Sequence, residues 1–219
     1  MSFLFGLLWF LGGALLSILS LIIIWQAEQK KWLSFFDLYK ELPWYGLVGI
    51  LTISFLSVFF WFTQPGLSAL AIFLQTVISV VLLDTIISDI HFGKINLPIL
   101  LVGSTAVLVG IGLSIVWLPS LLSALAAAFV AAVFFLWQYL LSRGQWVGSG
   151  DTWFGIFLGL LVGWPNVLIV AALGYGLAAI TAFGLIIFFR KKNLQRLPLG
   201  AFLSISALLF FLFTLVPNL

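Results

Sequence analysis

The chain contains no cysteine and only one histidine in 219 residues. Disulfides, thiolate metal sites and a cysteine nucleophile are therefore excluded. His91 alone cannot build a histidine-rich metal centre. Charge is also scarce. Nine Lys and Arg and six Asp and Glu make up 7% of the residues, whereas ordinary soluble chains carry about 25%. The net charge of +3 is scattered through short loops, which excludes the concentrated basic patch of a nucleic-acid binder. No internal repeat, low-complexity tract or linker stands out.

Apolar residues are abundant: 64% of the chain is hydrophobic and the mean hydropathy is +1.31. A soluble domain cannot hide that much apolar surface. The expected fold is an all-α polytopic membrane protein, a single membrane domain over residues 1–219. A span needs ~20 apolar residues, so this length allows at most about eight. Eight apolar segments can be marked, at 3–25, 44–62, 67–88, 97–117, 119–141, 152–164, 166–189 and 200–217. Turn chemistry separates several of them, at Gln64-Pro65-Gly66, Leu118-Pro119, Trp164-Pro165-Asn166 and Leu197-Pro198. The N-terminal stretch lacks a basic lead and a small-residue cleavage site, so it reads as a retained first span.

Eight spans sort the basic residues onto one face. Lys30, Lys31 and Lys40 fall in the first loop, Lys94 in the third and Arg143 in the fifth. Arg190, Lys191, Lys192 and Arg196 fall in the seventh. The positive-inside rule makes that face cytoplasmic and puts both termini outside. Asp89 and Asp151 then sit at the cytoplasmic ends of the third and sixth spans, at one depth. Glu28, Asp37 and Glu41 lie in the first loop as ordinary solvated charges.

An ionisable group at the mouth of a span costs free energy and reads as functional by default. Two nearby carboxylates can share a proton, because like charges a few ångströms apart cannot both ionise. One can then take a proton from water while the other gives one to a substrate. Asp89 and Asp151 are the candidate catalytic pair. Gly148 and Gly150 precede Asp151 in Trp146-Val147-Gly148-Ser149-Gly150-Asp151. Their expected role is to shape the site, through positive φ or close backbone approach. The plain structural alternatives are an Asp151 helix N-cap and an Asp89 helix-end charge paired with Lys94. Asp84 lies about 7.5 Å deeper than Asp89 on the same span and points another way. Asp84 and Lys94 are therefore candidates to support the pair. His91 reads as a surface residue. Trp44, Trp61, Trp117, Trp146 and Trp164 lie near span ends, as an interfacial aromatic belt would. Gly155, Gly159 and Gly163 form one small-residue row, expected to pack against a neighbouring helix.

The string Trp146 to Asp151, followed by Gly159, Gly163 and Trp164, resembles the second active-site region of type IV prepilin peptidases. These are membrane aspartyl proteases of the GxGD class. Asp89 with Lys94-Ile95-Asn96 resembles the family's first region, and Leu197-Pro198-Leu199-Gly200-Ala201-Phe202 its late proline-glycine segment. The likeness runs from about residue 80 to 215. Residues 66–219 would be a peptidase-like core and 1–65 divergent N-terminal spans. The chain departs from the family in Trp153, where a Lys is usual, and in lacking the Arg and Pro of the first region. It also lacks the four-cysteine zinc loop of many members. The resemblance implies an aspartic endopeptidase of a bacterial or archaeal cytoplasmic membrane. Its substrates would be prepilins or pseudopilins, cut between a short basic leader and an apolar helix, in type IV pilus assembly or protein secretion. Proteolysis would need no metal or other cofactor. Many members also use S-adenosylmethionine to methylate the new N-terminus, and the departures weigh against extending that activity here.

A presenilin-like protease fits less well, because Leu83 and Ser88 stand where a Tyr would precede the aspartate. Two further alternatives are a non-catalytic scaffold of a pilus or secretion system and a small proton- or cation-coupled transporter.

Overall fold

The computed structural model describes residues 68–115, 118–189 and 197–215. Among them lie six helices and no strands: α1 (Ala69–Phe92), α2 (Leu97–Gly112), α3 (Leu121–Ser142), α4 (Ser149–Val162), α5 (Asn166–Phe189) and α6 (Leu199–Leu215). The segments 3–25 and 44–62 lie outside the described residues, as do Lys30, Lys31, Lys40, Arg190, Lys191, Lys192, Arg196 and the His91 side chain. Each of the other six expected segments overlaps one helix.

Local chemistry sets the ends. The Ser68 hydroxyl accepts from the Ala71 amide at 3.2 Å and caps α1. Gly93, at φ 61°, ends it in the left-handed region, with its N–H donating to Asp89 O at 3.0 Å. Pro98 stands in the first turn of α2, where its missing N–H costs nothing. α3 ends on Arg143 at φ 50°. The Arg143 amide donates to Leu140 O at 3.3 Å and that of Gly144 to Tyr139 O at 3.0 Å, the pair of bonds of a Schellman turn. An arginine thus occupies a position that favours glycine by roughly 1–2 kcal/mol.

Among the described residues, three helices are long and apolar enough to cross a membrane: Leu70–Ile90, Leu121–Ser142 and Asn166–Ile187. The described residues are thus all-helical, with three candidate membrane spans, which is compatible with a membrane protein. The other three described helices, α2, α4 and α6, have 16, 14 and 17 residues. α4 has 14 residues, which at ~1.5 Å per residue is about 21 Å, short of the ~30 Å hydrocarbon core. Its position explains how so short an apolar helix persists. Phe154, Phe157 and Leu161 are fully buried, and α4 packs against α2 and, most extensively, α3. Only 28% of the α3 window and 17% of the α5 window are buried, so these two helices present apolar side chains outward, Phe129 and Phe183 among them. Such faces are suited to lipid. Trp146 and Trp164 flank the two ends of α4 and are both exposed, as an aromatic belt requires.

The glycine row has the packing role expected of it. A Cβ on Gly155 would strike the Phe135 ring. One on Gly159 would lie 2.5 Å from Ala128 Cα, and one on Gly163 2.6 Å from Pro119 Cβ. Across the bundle, α1 packs on α2 and α6, and α6 on α5. This arrangement brings the end of α1, the start of α4 and the start of α6 to one end of the bundle.

Candidate active site

Asp89 lies in the last turn of α1 rather than beyond it, because the helix runs on to Phe92. The carboxylate is buried. Its Oδ2 accepts from the Ala201 amide at 3.0 Å. Ala201 belongs to the first turn of α6, where backbone N–H groups have no helical partner and the helix dipole favours negative charge. A Cβ on Gly200 would lie 3.0 Å from Asp89 Oδ2, so a glycine lets the α6 backbone reach the acid. Residue chemistry alone gives neither the Ala201 donor nor Gly200 a role. The pairing joins residues 89 and 201, and no local spacing rule links them. The only signal was the late proline-glycine string.

Asp151 is half-buried in the first turn of α4. It is not the N-cap. Gly148 holds that position, and the Asp151 Oδ2 reaches back to accept the Gly148 amide at 2.8 Å. This is one half of a capping box; glycine has no side chain to supply the other. The expected positive φ of Gly148 and Gly150 is not found: Gly148 has φ −78° and Gly150 lies within the helix. Among the described residues, the glycines with positive φ are Gly93, Gly144 and Gly163. Close approach does hold for Gly150, whose added Cβ would sit 3.1 Å from Ile95 Cβ. That contact fixes the α4 start against the α1–α2 turn.

Asp89 and Asp151 open into one cavity of about 620 Å³. Gly148, Gly150 and Lys94 line it, as do Ile95, Tyr139, Arg143 and Trp153. Asp84 is not among its walls. That side chain is 3% exposed, and its Oδ1 has no hydrogen-bond partner. The structure therefore brings together the two proposed catalytic acids, both site-shaping glycines and Lys94, and separates Asp84 from them. Tyr139, Arg143 and Trp153 are additional walls. In the sequence, Arg143 reads only as a loop charge.

Asp151 stands just before the apolar segment 152–164. Burial pushes its carboxyl up and the nearby Asp89 charge adds to this, while the Gly148 N–H opposes both, leaving it at about 6. Gly148→Pro removes that opposing bond, because a φ of −78° suits proline, whose ring nitrogen carries no hydrogen and whose ring carbon takes the place where the carboxylate now accepts. Infrared titration of the protonated Asp151 carbonyl band, identified by its loss in Asp151→Asn, should show a higher midpoint in Gly148→Pro. An unchanged midpoint would mean that this hydrogen bond does not hold the charge.

No protein family, curated protein or solved structure matches the chain. The functional reading therefore rests on the residues and geometry described above.

Proposed function

We propose that the protein is a membrane aspartyl endopeptidase that cuts prepilin- or pseudopilin-like substrates at the cytoplasmic membrane face. One observation carries this reading: two acids on separate helices, each held by a helix N-terminal amide, open into a single cavity. A pair of this kind can hold one proton between its members. The ionised carboxyl would draw a proton from water as that water attacks the scissile carbonyl. The protonated one would supply a proton to the departing amine. The cavity volume suits a short extended segment of chain. The eight-span arrangement, with both termini outside and the site cytoplasmic, belongs to the same reading. Its support is the one-sided distribution of Lys and Arg.

The test is co-expression with a set of substrates that carry a short polar leader ahead of an apolar helix. A leader-sized gel shift, with a new N-terminus at the leader–helix boundary, is expected. No shift with any substrate, in well-expressed protein, would overturn the proposal.

One observation favours a second reading. The unpartnered Asp84 Oδ1 lies within the span Leu70–Ile90, and intramembrane acids often mark ion paths. A proton- or cation-coupled transporter would show ion-driven uptake in liposomes that is lost in Asp84→Asn. No such uptake would remove this reading.

A further inference from the structure

Three residues of the cavity wall also head apolar surfaces that run away from it along the helices. Leu97 is the first residue of α2, Tyr139 lies in the last turn of α3 and Trp153 near the start of α4. On α2, Leu101 and Leu108 continue the face of Leu97, and all three are exposed. On α3, Leu136 and Phe129 continue the face of Tyr139 and are exposed too. Because Leu97 and Tyr139 reach one cavity, the two faces look toward each other. α2 and α3 each pack on α4 but touch each other little, so α4 is the floor between them. Exposure falls along that floor: Trp153 is exposed, Ile156 half-buried and Leu160 buried. The far end is closed, because Leu118 reaches Gly110 of α2 and Pro119 reaches Gly163 at the end of α4. The result is a V-shaped apolar groove, open at the two aspartates. From Trp153 to Leu160 it runs about 10 Å, or two helical turns.

We propose that this groove docks the first two turns of the substrate's apolar helix, which enters sideways from the bilayer. The inference rests on the protease reading and adds where the membrane part of the substrate lies. A bond cut at the leader–helix boundary stands beside Asp89 and Asp151, so the helix must leave the cavity along an apolar surface. The faces of α2 and α3 begin in the cavity wall. The outward face of α5, with Ile180 and Phe183, does not, since α5 contributes no residue to that wall. Within a bilayer such docking is driven by close packing rather than by removal of apolar surface from water. A cleft between two helices over a third supplies that packing on three sides of an incoming helix.

The test is photocrosslinking, which needs no bond cleavage. The full chain carrying Asp151→Asn, in proteoliposomes, is mixed with a synthetic peptide that has a lysine-containing leader ahead of a Leu-Ala helix. A benzophenone side chain replaces Leu101 or Phe129 in the groove or, as controls on α5, Ile180 or Phe183, all of them exposed. The groove positions should give peptide adducts confined to the first two turns of the helix. The α5 positions should give about five- to tenfold fewer, the size of one interhelical packing contact. Leu101→Trp, which fills the groove from an exposed position, should lower the Phe129 adduct by a similar factor, and Ile180→Trp should leave it unchanged. Equal yields from groove and α5 overturn the proposal, as chance collision in the bilayer would give them. So do adducts spread along the whole peptide helix, adducts with lipid alone, or adducts with the protein's own chain or a second copy in place of the peptide. Leader release by the wild-type chain is scored separately. Peptide adducts in the groove without release uphold the groove and count against the protease reading. Release without such adducts overturns the groove alone.

Discussion

Replacing either Asp89 or Asp151 with asparagine is expected to remove cleavage, lowering the rate by about 10²–10⁴-fold or more in reconstituted protein. The substitution is nearly isosteric and keeps an oxygen to accept from the Ala201 or Gly148 amide. Both variants should therefore fold and express, and the loss should reflect chemistry. Asp84→Asn is the internal contrast. Its side chain is buried away from the cavity, and its Oδ1 has no partner to lose. It should retain activity. The wild-type protein should also slow as pH rises above about 6, where Asp151 gives up its proton and the singly protonated pair is depleted. Progress curves between pH 5 and pH 9 would read this directly, on the order of tenfold per pH unit once past the midpoint.

The second large effect is structural. Gly159→Ala puts a methyl 2.5 Å from the Ala128 Cα and N, which are backbone atoms and cannot rotate away. α3 and α4 would have to separate along their most extensive interface, at a cost of about 1–3 kcal/mol for an overpacked contact. The same shift would move Arg143 and Tyr139 relative to Asp151, since these residues stand at the facing ends of the two helices. A fall in thermal unfolding temperature in detergent, together with lower activity, is expected. Gly176→Ala on α5 is the matched comparison. Nothing lies within 4 Å of its added Cβ, and exchanging a helical glycine for alanine should be neutral or stabilising by up to about 1 kcal/mol. Equal unfolding temperatures for the two variants would contradict the described packing.

Helix positions were legible because apolar runs are long and proline or glycine interrupts them. Helix ends were less so. The apolar run of the third segment ends at residue 88, but the chain stays helical until Gly93, which turns left-handed at φ 61°. α4 begins at Ser149, before the expected 152, because Gly148 can cap it and Asp151 returns a bond to the cap. The roles of individual glycines also needed coordinates. Gly150 matters through contact with Ile95, not through an unusual φ. The two acids could be singled out because carboxylates are rare in this chain. Their setting could not: the α6 amide on Asp89 and the Arg143 in the cavity wall depend on contacts between distant segments.

The measurement that bears most directly on the central claim is leader release by the purified protein in proteoliposomes, followed by mass spectrometry. The expected result is a single cut at the leader–helix boundary, lost in Asp89→Asn and in Asp151→Asn and kept in Asp84→Asn. Release that persists in either of the first two variants, or release lost only in Asp84→Asn, would contradict a paired-aspartate mechanism at this cavity.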